Sequence, residues 1–282
     1  MQNVHFTPPQ IARLFQVNVS TIKRWIDKGM LDSKFTAGGH RRVTQAQLSA
    51  FVTKYPQNAG SSYVLQRYAR KNELSPIAWQ KYYRFLERNE VKLAEEFIEG
   101  LYISRTTIPH ILDEVIVPAL RHIGDAWAAG TVSIFEEHRM SFIIRMQLLH
   151  LDRYIPVIDS KRAPIAVLAC APGEHHEIPL QMLAIICKLQ GWRVALLGIN
   201  VPVIEMKKAI MTLKAKLLCL TSTYKHKAFL KLVAQLGKFC MKQKSTLAIG
   251  GGGWQEKLRA NSRTHLYFSN LISFGTFLEK SL

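Results

Sequence analysis

The 282-residue chain is 48% hydrophobic, holds 16 Gly and 11 Pro, and carries 38 Lys+Arg against 20 Asp+Glu for a formal net charge of +18. That composition excludes a disordered or collagen-like chain, and no apolar run approaches the ~20 residues needed to span a bilayer. The opening MQNVHFTPPQ lacks the basic and apolar regions of a signal peptide, so the expected location is the cytoplasm, with no membrane partner. The charge is uneven. Residues 1–75 hold eleven Lys+Arg against three Asp+Glu, residues 76–158 nine against eleven, and residues 159–282 eighteen against six. Basic segments concentrate near polyanions such as nucleic acid. The cysteines, Cys170, Cys187, Cys219 and Cys240, each stand alone in an apolar stretch and read as reduced core thiols.

In chain order, Thr7-Pro8-Pro9-Gln10 reads as a capped helix start, and Ile11, Leu14 and Phe15 supply its apolar stripe. Asn18 is placed to cap a second helix running to Asp27. There Ile22, Trp25 and Ile26 make one buried face, while Ser20, Thr21, Lys23 and Arg24 stay on the other side. Two short helices with a tight turn and a free polar face are a DNA-reading arrangement. Gly29 ends the helix, and a ribbon follows from Leu31 to Phe35 and again near Val43. Its tip, Ala37-Gly38-Gly39-His40-Arg41-Arg42, brings His40, Arg41 and Arg42 within reach of phosphates. A helix over Thr44–Val52 closes the small core. The string IARLFQVNVSTIKRWIDKGML followed by GGHRRV resembles the MerR-type winged helix-turn-helix over roughly residues 5–55. The resemblance implies that Ser20, Thr21, Lys23 and Arg24 face the major groove of a double-stranded operator and that Arg41 and Arg42 hold the wing on the backbone.

Residues 56–62 read as a polar linker. Residues 63–158 read as a four-helix bundle, with helices marked by Val91–Leu101, Ile108–Gly130 and Ser133–Tyr154. Trp127 ends one helix, and Glu137 and His138 open the next. Residues 159–282 alternate strands and helices: Ile165–Cys170, Val194–Gly198, Leu217–Thr221 and Leu247–Ile249 are the strands, the last leading into Gly250-Gly251-Gly252-Gly253. This order predicts a small Rossmann-like parallel sheet, with ligands at the carboxyl ends of its strands. There the first loop carries Pro172-Gly173-Glu174-His175-His176-Glu177, where an imidazole and a nearby carboxylate are one way to hold a metal.

The whole chain, in this domain order, resembles the MerR-type regulators with a cobalamin-binding sensor, the CarH/LitR-like photoreceptor family. Trp127, nine residues and Glu137-His138 match that family's bundle motif. Glu174-His175-His176-Glu177-Ile178-Pro179 matches its acidic–x–His–x–x–Gly signature, with Pro179 in the Gly position; Thr221-Ser222-Thr223 and Gly250–Gly253 match the later parts. Thr221 stands where Ser is usual, and Ala128 where some members have a second His. The resemblance implies that His176 ligates cobalt from below, oriented by Glu174. It implies that Thr221, Ser222, Gly250, Gly251 and Gly252 line a slot for the nucleotide tail, and that Trp127, Glu137 and His138 surround an upper 5′-deoxyadenosyl ligand. The function it implies is a repressor, not an enzyme, that oligomerises as a dimer or tetramer with adenosylcobalamin in the dark and releases DNA in light. The residues leave two other readings open: a cofactor-independent regulator controlled by a protein partner, and a sensor of another tetrapyrrole.

Overall fold

A computed structural model describes residues 5–36, 38–58, 74–104, 106–155, 158 and 160–281. Ala37 at the wing tip, residues 59–62 of the expected linker and residues 63–73 at the expected start of the bundle lie outside the described residues. The chain divides into two compact units between Tyr154 and Ile155. The winged helix and the helical bundle share the first unit.

In the first unit β1 (His5–Phe6), α1 (Pro8–Leu14) and α2 (Val19–Asp27) are followed by β2 (Lys34–Phe35), β3 (Arg41–Thr44) and α3 (Gln45–Lys54). The strands form an antiparallel sheet in the order β1-β3-β2. Thr7 caps α1 through a full capping box with Gln10, and Thr44 does the same for α3 with Gln47. Asn18 holds the N-cap position of α2 without a side-chain bond, contrary to expectation; its backbone carbonyl accepts from Thr21 N at 2.9 Å instead. Phe6, Ile11, Phe15, Ile22, Trp25, Val43 and Phe51 fill the core, with Trp25 and Phe51 rings 5.0 Å apart.

The bundle comprises α4 (Ala78–Glu87), α5 (Val91–Ile103), α6 (Ile108–Ile111) continuing through a π-helical stretch (Leu112–Ile116) into α7 (Val117–Ala128), and α8 (Ile134–Asp152). The single helix expected over Ile108–Gly130 is thus loosened at its centre. Pro118 lacks the N–H that would bond back to Glu114, and the wider turn accommodates the missing bond.

Where the winged helix meets the bundle, Phe6 lies 5.7 Å from the Tyr102 ring and 5.4 Å from that of Tyr154. Gln10 Nε2 donates to Arg153 O at 3.0 Å, and Gln16 Nε2 donates to Glu96 Oε1 at 2.9 Å. Glu95 sits between Arg13 of α1 at 3.8 Å and His150 of α8 at 2.6 Å. Beneath them the Tyr154 hydroxyl donates to Glu99 Oε1 at 2.8 Å.

The second unit is a five-stranded parallel sheet in the order β5-β4-β6-β7-β8. Its elements are β4 (Ile165–Cys170), α9 (Ile178–Leu189), β5 (Arg193–Gly198), α10 (Val203–Leu213), β6 (Leu217–Thr221), α11 (Phe229–Lys242), β7 (Thr246–Gly250), β8 (Leu266–Phe268) and α12 (Leu271–Lys280). Strand alternation divides the core. Val167, Ala169, Leu218, Leu220, Leu247 and Ile249 pack with Met206 and Ile210 of α10 and with Phe229, Val233 and Leu236 of α11. The pair α9 and α12 packs together in turn. Four strands were expected, so the glycine run does not follow the last strand: it lies between β7 and β8. The extra strand is three residues long and sits at the sheet edge, too short to show a pattern of its own.

Glu99 offers a test of the contact between winged helix and bundle. Burial pushes its carboxyl up to about 7, against the downward pull of the Tyr154 hydroxyl, while Glu95 and Glu96 push it up and Arg13 pulls it down. A carboxyl raised in the folded state contributes stability that is complete below its ordinary value near 4.5 and is lost as pH rises through about 7. Glu99→Gln, which keeps an acceptor for Tyr154, is therefore expected to raise Tm at pH 8 by about 5 °C, with the gain shrinking toward pH 5. Paired thermal melts at the two pH values check it.

Candidate functional site

The first candidate surface is on the winged helix. Ser20, Lys23 and Arg24 are exposed along α2, and Thr21 is half-buried. The buried stripe of Ile22 and Trp25 turns α2 so that this polar side looks outward. At the wing, Thr36 N donates to His40 O at 2.9 Å, and Gly39 takes a φ of +74°, which the tight tip requires. His40 is exposed, while Arg41 and Arg42 are half-buried. Arg41 forms an ion pair with Asp27 at the end of α2, and its guanidinium lies 5.8 Å from the exposed Phe35 ring. The wing is thereby fastened to the helix it flanks.

The second candidate site is at the carboxyl ends of the parallel strands. Three loops converge there, after β4, β5 and β6, and Glu174 joins two of them. Its side chain has no exposed surface. Oε1 accepts from His175 N and His176 N, both at 2.9 Å, and from His176 Nδ1 at 2.5 Å. Oε2 accepts from Thr223 Oγ1 at 2.8 Å, from Thr223 N and from Ser222 Oγ at 3.3 Å. Burial pushes the Glu174 carboxyl up, but these donors, led by the His176 imidazole, outweigh it and hold the group at about 2. The Thr223 hydroxyl also lies 2.8 Å from His176 Nδ1, which closes a triangle of carboxylate, imidazole and hydroxyl. Glu174 only accepts, so this contact places a proton on Nδ1, and Nε2 is the ring nitrogen that Glu174 does not engage. The His176 side chain is 69% exposed.

The third loop is tied in by Asn200, held at a φ of +48°. Its N–H donates to Glu174 O at 2.9 Å, and its Oδ1 accepts from Gly173 N at 2.8 Å. Tyr224 completes the stitching, its hydroxyl donating to Pro172 O at 2.8 Å. In the sequence Thr223 stands out only within the Thr221-Ser222-Thr223 match, with no role attached, and neither Asn200 nor Tyr224 is singled out. An Asn ahead of a Pro-containing loop and a Tyr after a strand are ordinary there, and only the approach of the loops gives them these tasks.

Thr221 is buried, with its hydroxyl 3.4 Å from Cys170 Sγ, and Ser222 is buried with its hydroxyl donating to Tyr224 O at 3.0 Å. The glycines beyond β7 are needed by the backbone of the neighbouring loop. A Cβ on Gly251, whose φ is +106°, would stand 2.3 Å from Ser222 O, and one on Gly253 would stand 2.2 Å from Tyr224 O. A Cβ on Gly252 meets nothing within 4 Å, and one on Gly250 reaches Phe268 O at 3.3 Å. Pro179 lies in the first turn of α9, where its missing N–H would have had no helical partner.

In the first unit Trp127 sits at the end of α7, 49% exposed. Ser133 caps α8 with Glu136, and the first turns then present Glu137 and His138. Glu137 Oε1 accepts from Ser141 Oγ at 2.7 Å, and its Oε2 is 3.5 Å from His138 Nε2. Among the described residues no cluster of three or more His, Cys, Asp or Glu is placed to hold a metal. No helix among them is long and apolar enough to cross a membrane.

Comparison with known proteins gives three matches in chain order. Residues 6–55 match the model of a helix-turn-helix domain, residues 80–151 one model of a B12 binding domain and residues 164–263 a second. The HTH-type transcriptional repressor CarH of Myxococcus xanthus is 36% identical over 102 residues, which is 36% of this chain and 33% of the repressor. The HTH-type transcriptional repressor CarA of the same organism is 31% identical over 109 residues, 39% of this chain and 35% of that one. Each match thus spans about a third of the relative's length. The monomethylamine corrinoid protein of Methanosarcina barkeri superposes with a TM-score of 0.58 at 13% identity, covering 73% of this chain and 98% of that one, a likeness of fold alone. The chain is therefore similar to a CarH-like cobalamin-binding regulator: it joins a helix-turn-helix match to two B12 binding domain matches and resembles the two repressors over about a third of their length.

Two stability tests follow from the loop geometry. Gly253→Ala forces a side chain into fixed backbone and is expected to cost about 2 kcal/mol or more, whereas Gly252→Ala should change stability by less than about 0.5 kcal/mol; denaturant melts of both variants compare them. Glu174, depressed in the folded state, contributes stability that is present above about 4.5 and lost as pH falls toward about 2. Glu174→Gln is expected to cost about 2–4 kcal/mol at pH 7, and its gap from the parent should close across that acid range.

Proposed function

We propose that this chain is a DNA-binding transcriptional repressor whose hold on DNA is set by a cobalamin carried on His176, with adenosylcobalamin as the form and light as the input. The observation that carries the reading is the Glu174–His176–Thr223 triangle, held at the carboxyl ends of a parallel sheet in the same chain as a winged helix with an exposed polar reading face. The repressor names of the two Myxococcus relatives and the B12 binding domain matches support it.

The residues suit the cofactor. An exposed imidazole with Nδ1 committed to a carboxylate offers its other nitrogen as a strong donor to a soft, borderline metal, and the carboxylate fixes the ring's orientation. Glu174 remains charged in this role, so it strengthens the imidazole across the whole physiological range. Gly250, Gly251 and Gly252, with Ser222 and Thr221 behind them, are the positions proposed for the nucleotide tail, and Gly252 is the one with open space around it. Trp127, Glu137 and His138 are proposed for the upper ligand, as the resemblance assigns them. When bound, adenosylcobalamin supplies a cobalt–carbon bond that light breaks.

At the DNA end, Ser20, Thr21, Lys23 and Arg24 are proposed to read the major groove, with His40, Arg41 and Arg42 on the backbone. One small wing makes too few phosphate contacts for tight specific binding at physiological salt, so the active form is proposed to be a homo-oligomer that presents several heads. Nothing in this scheme requires catalysis by the protein. The domains proposed are the winged helix at 1–55, a linker at 56–62, the bundle at 63–158 and the cobalamin-binding sheet at 159–282.

The purified chain, reconstituted in the dark, should acquire the visible absorbance of adenosylcobalamin. Illumination should lower its affinity for duplexes selected from a random pool by at least about tenfold, and His176→Ala should weaken cofactor uptake by at least about tenfold. A chain that takes up no corrin overturns the reading. Duplex binding by His176→Ala that is indifferent to cobalamin and light would instead point to control by a protein partner.

A further inference from the structure

Ten of the eighteen Lys and Arg residues of positions 159–282 fall in one segment. Residues 203–244, which cover α10, β6, α11 and the loops between, hold ten lysines and a single acid, Glu205. The pair on the other side is nearly neutral: α9 contributes Lys188, and α12 contributes Glu279 and Lys280. Since α10 packs against α11, their lysines share one surface. Within α11, Lys231, Lys238 and Lys242 are spaced by seven and four residues, which puts them in one row along a helix face. All three are exposed. The row is about 16 Å long at the rise of an α-helix. On α10 the ammonium of the half-buried Lys207 lies 5.4 Å from the Phe239 ring of α11, and the exposed Lys214 follows the end of that helix.

A folded domain has no internal use for such a surface, because like charges repel and each lysine adds to the next. The surface suits a partner that carries a long, regular row of negative charge. Duplex DNA offers about one charge per 1.7 Å of axis. Lysine, a point charge on a flexible stem, suits phosphates and carries no base-reading fork. We propose that the α10–α11 lysine face is a second DNA contact, one that holds duplex backbone beyond the winged helix without reading sequence. The inference rests on the DNA-binding reading above and adds a surface that it does not use.

The test uses the full-length chain in the dark and two mixed-sequence duplexes, one little longer than the winged helices cover and one several times longer. For the K231Q/K238Q/K242Q variant on the long duplex, the slope of log Kd against log salt should fall by about 3, since each phosphate no longer neutralised removes about 0.9. Affinity at low salt should fall at least about tenfold, while binding to the short duplex stays at the parent level. The K231R/K238R/K242R variant, which keeps the charge, should match the parent on both and thereby shows that the loss is not one of folding. Parent and glutamine variant with equal slopes on the long duplex overturn the inference and leave the winged-helix reading intact. A parent chain that binds neither duplex overturns both. A glutamine variant that loses binding to phosphatidylserine vesicles, with its duplex slope unchanged, also overturns the inference and moves the surface to membranes.

Discussion

An ionised carboxylate without exposed surface is costly unless donors surround it, and Glu174 is surrounded: by its own loop through two backbone N–H groups, by an imidazole, and by a neighbouring loop through Thr223 and Ser222. Every feature of the candidate cofactor site depends on this one side chain. It orients His176, it ties the β4 loop to the β6 loop, and its own carbonyl receives Asn200 from the β5 loop. The glycine run answers to the same geometry from the other side. Gly251 and Gly253 are small because the loop that Glu174 draws in leaves no room for a Cβ. Orienting the His176 imidazole and closing the top of the sheet are therefore one structural problem with one solution.

Much of the fold was legible in the sequence because its determinants are local. The apolar run Ile165–Cys170 has the makeup of a strand covered on both faces, and Thr7 and Thr44 stand three residues before glutamines that complete their capping boxes. What was not legible is set by distance or by delay. The effect of Pro118 appears a turn earlier, as the π-helical stretch from Leu112 to Ile116. The strand Leu266–Phe268 exists because an edge is available beside β7, and its three residues show no period. Asn18 has the right residue type for a cap and still uses its backbone. At the site, periodicity placed Glu174 and His176 in a loop after a strand; pairing them came from family resemblance. Thr223, Asn200 and Tyr224 acquire their roles only when three loops meet, and no spacing within one segment encodes that.

The two halves of the charge distribution also differ in kind. On the winged helix, Arg41 is balanced by Asp27 and lies over Phe35, so this basic group has a defined place before any partner arrives. On α11 Lys231, Lys238 and Lys242 are exposed on long stems and repeat along the helix axis. The first pattern fixes a basic group in one place, and the second leaves its charges free to move on their stems.

The helix α8 carries Glu137 and His138 in its first turns and His150 in its last, with Arg153 and Tyr154 just beyond it. Those last residues are the ones that touch the winged helix, through Glu95 to Arg13, through Gln10, and through the ring of Phe6. Nineteen residues of unbroken helix make a rod about 28 Å long. A rod does not dissipate a displacement applied at one end. The helix thus joins, as one continuous element, the turn that carries Glu137 and His138 to the residues that contact the winged helix.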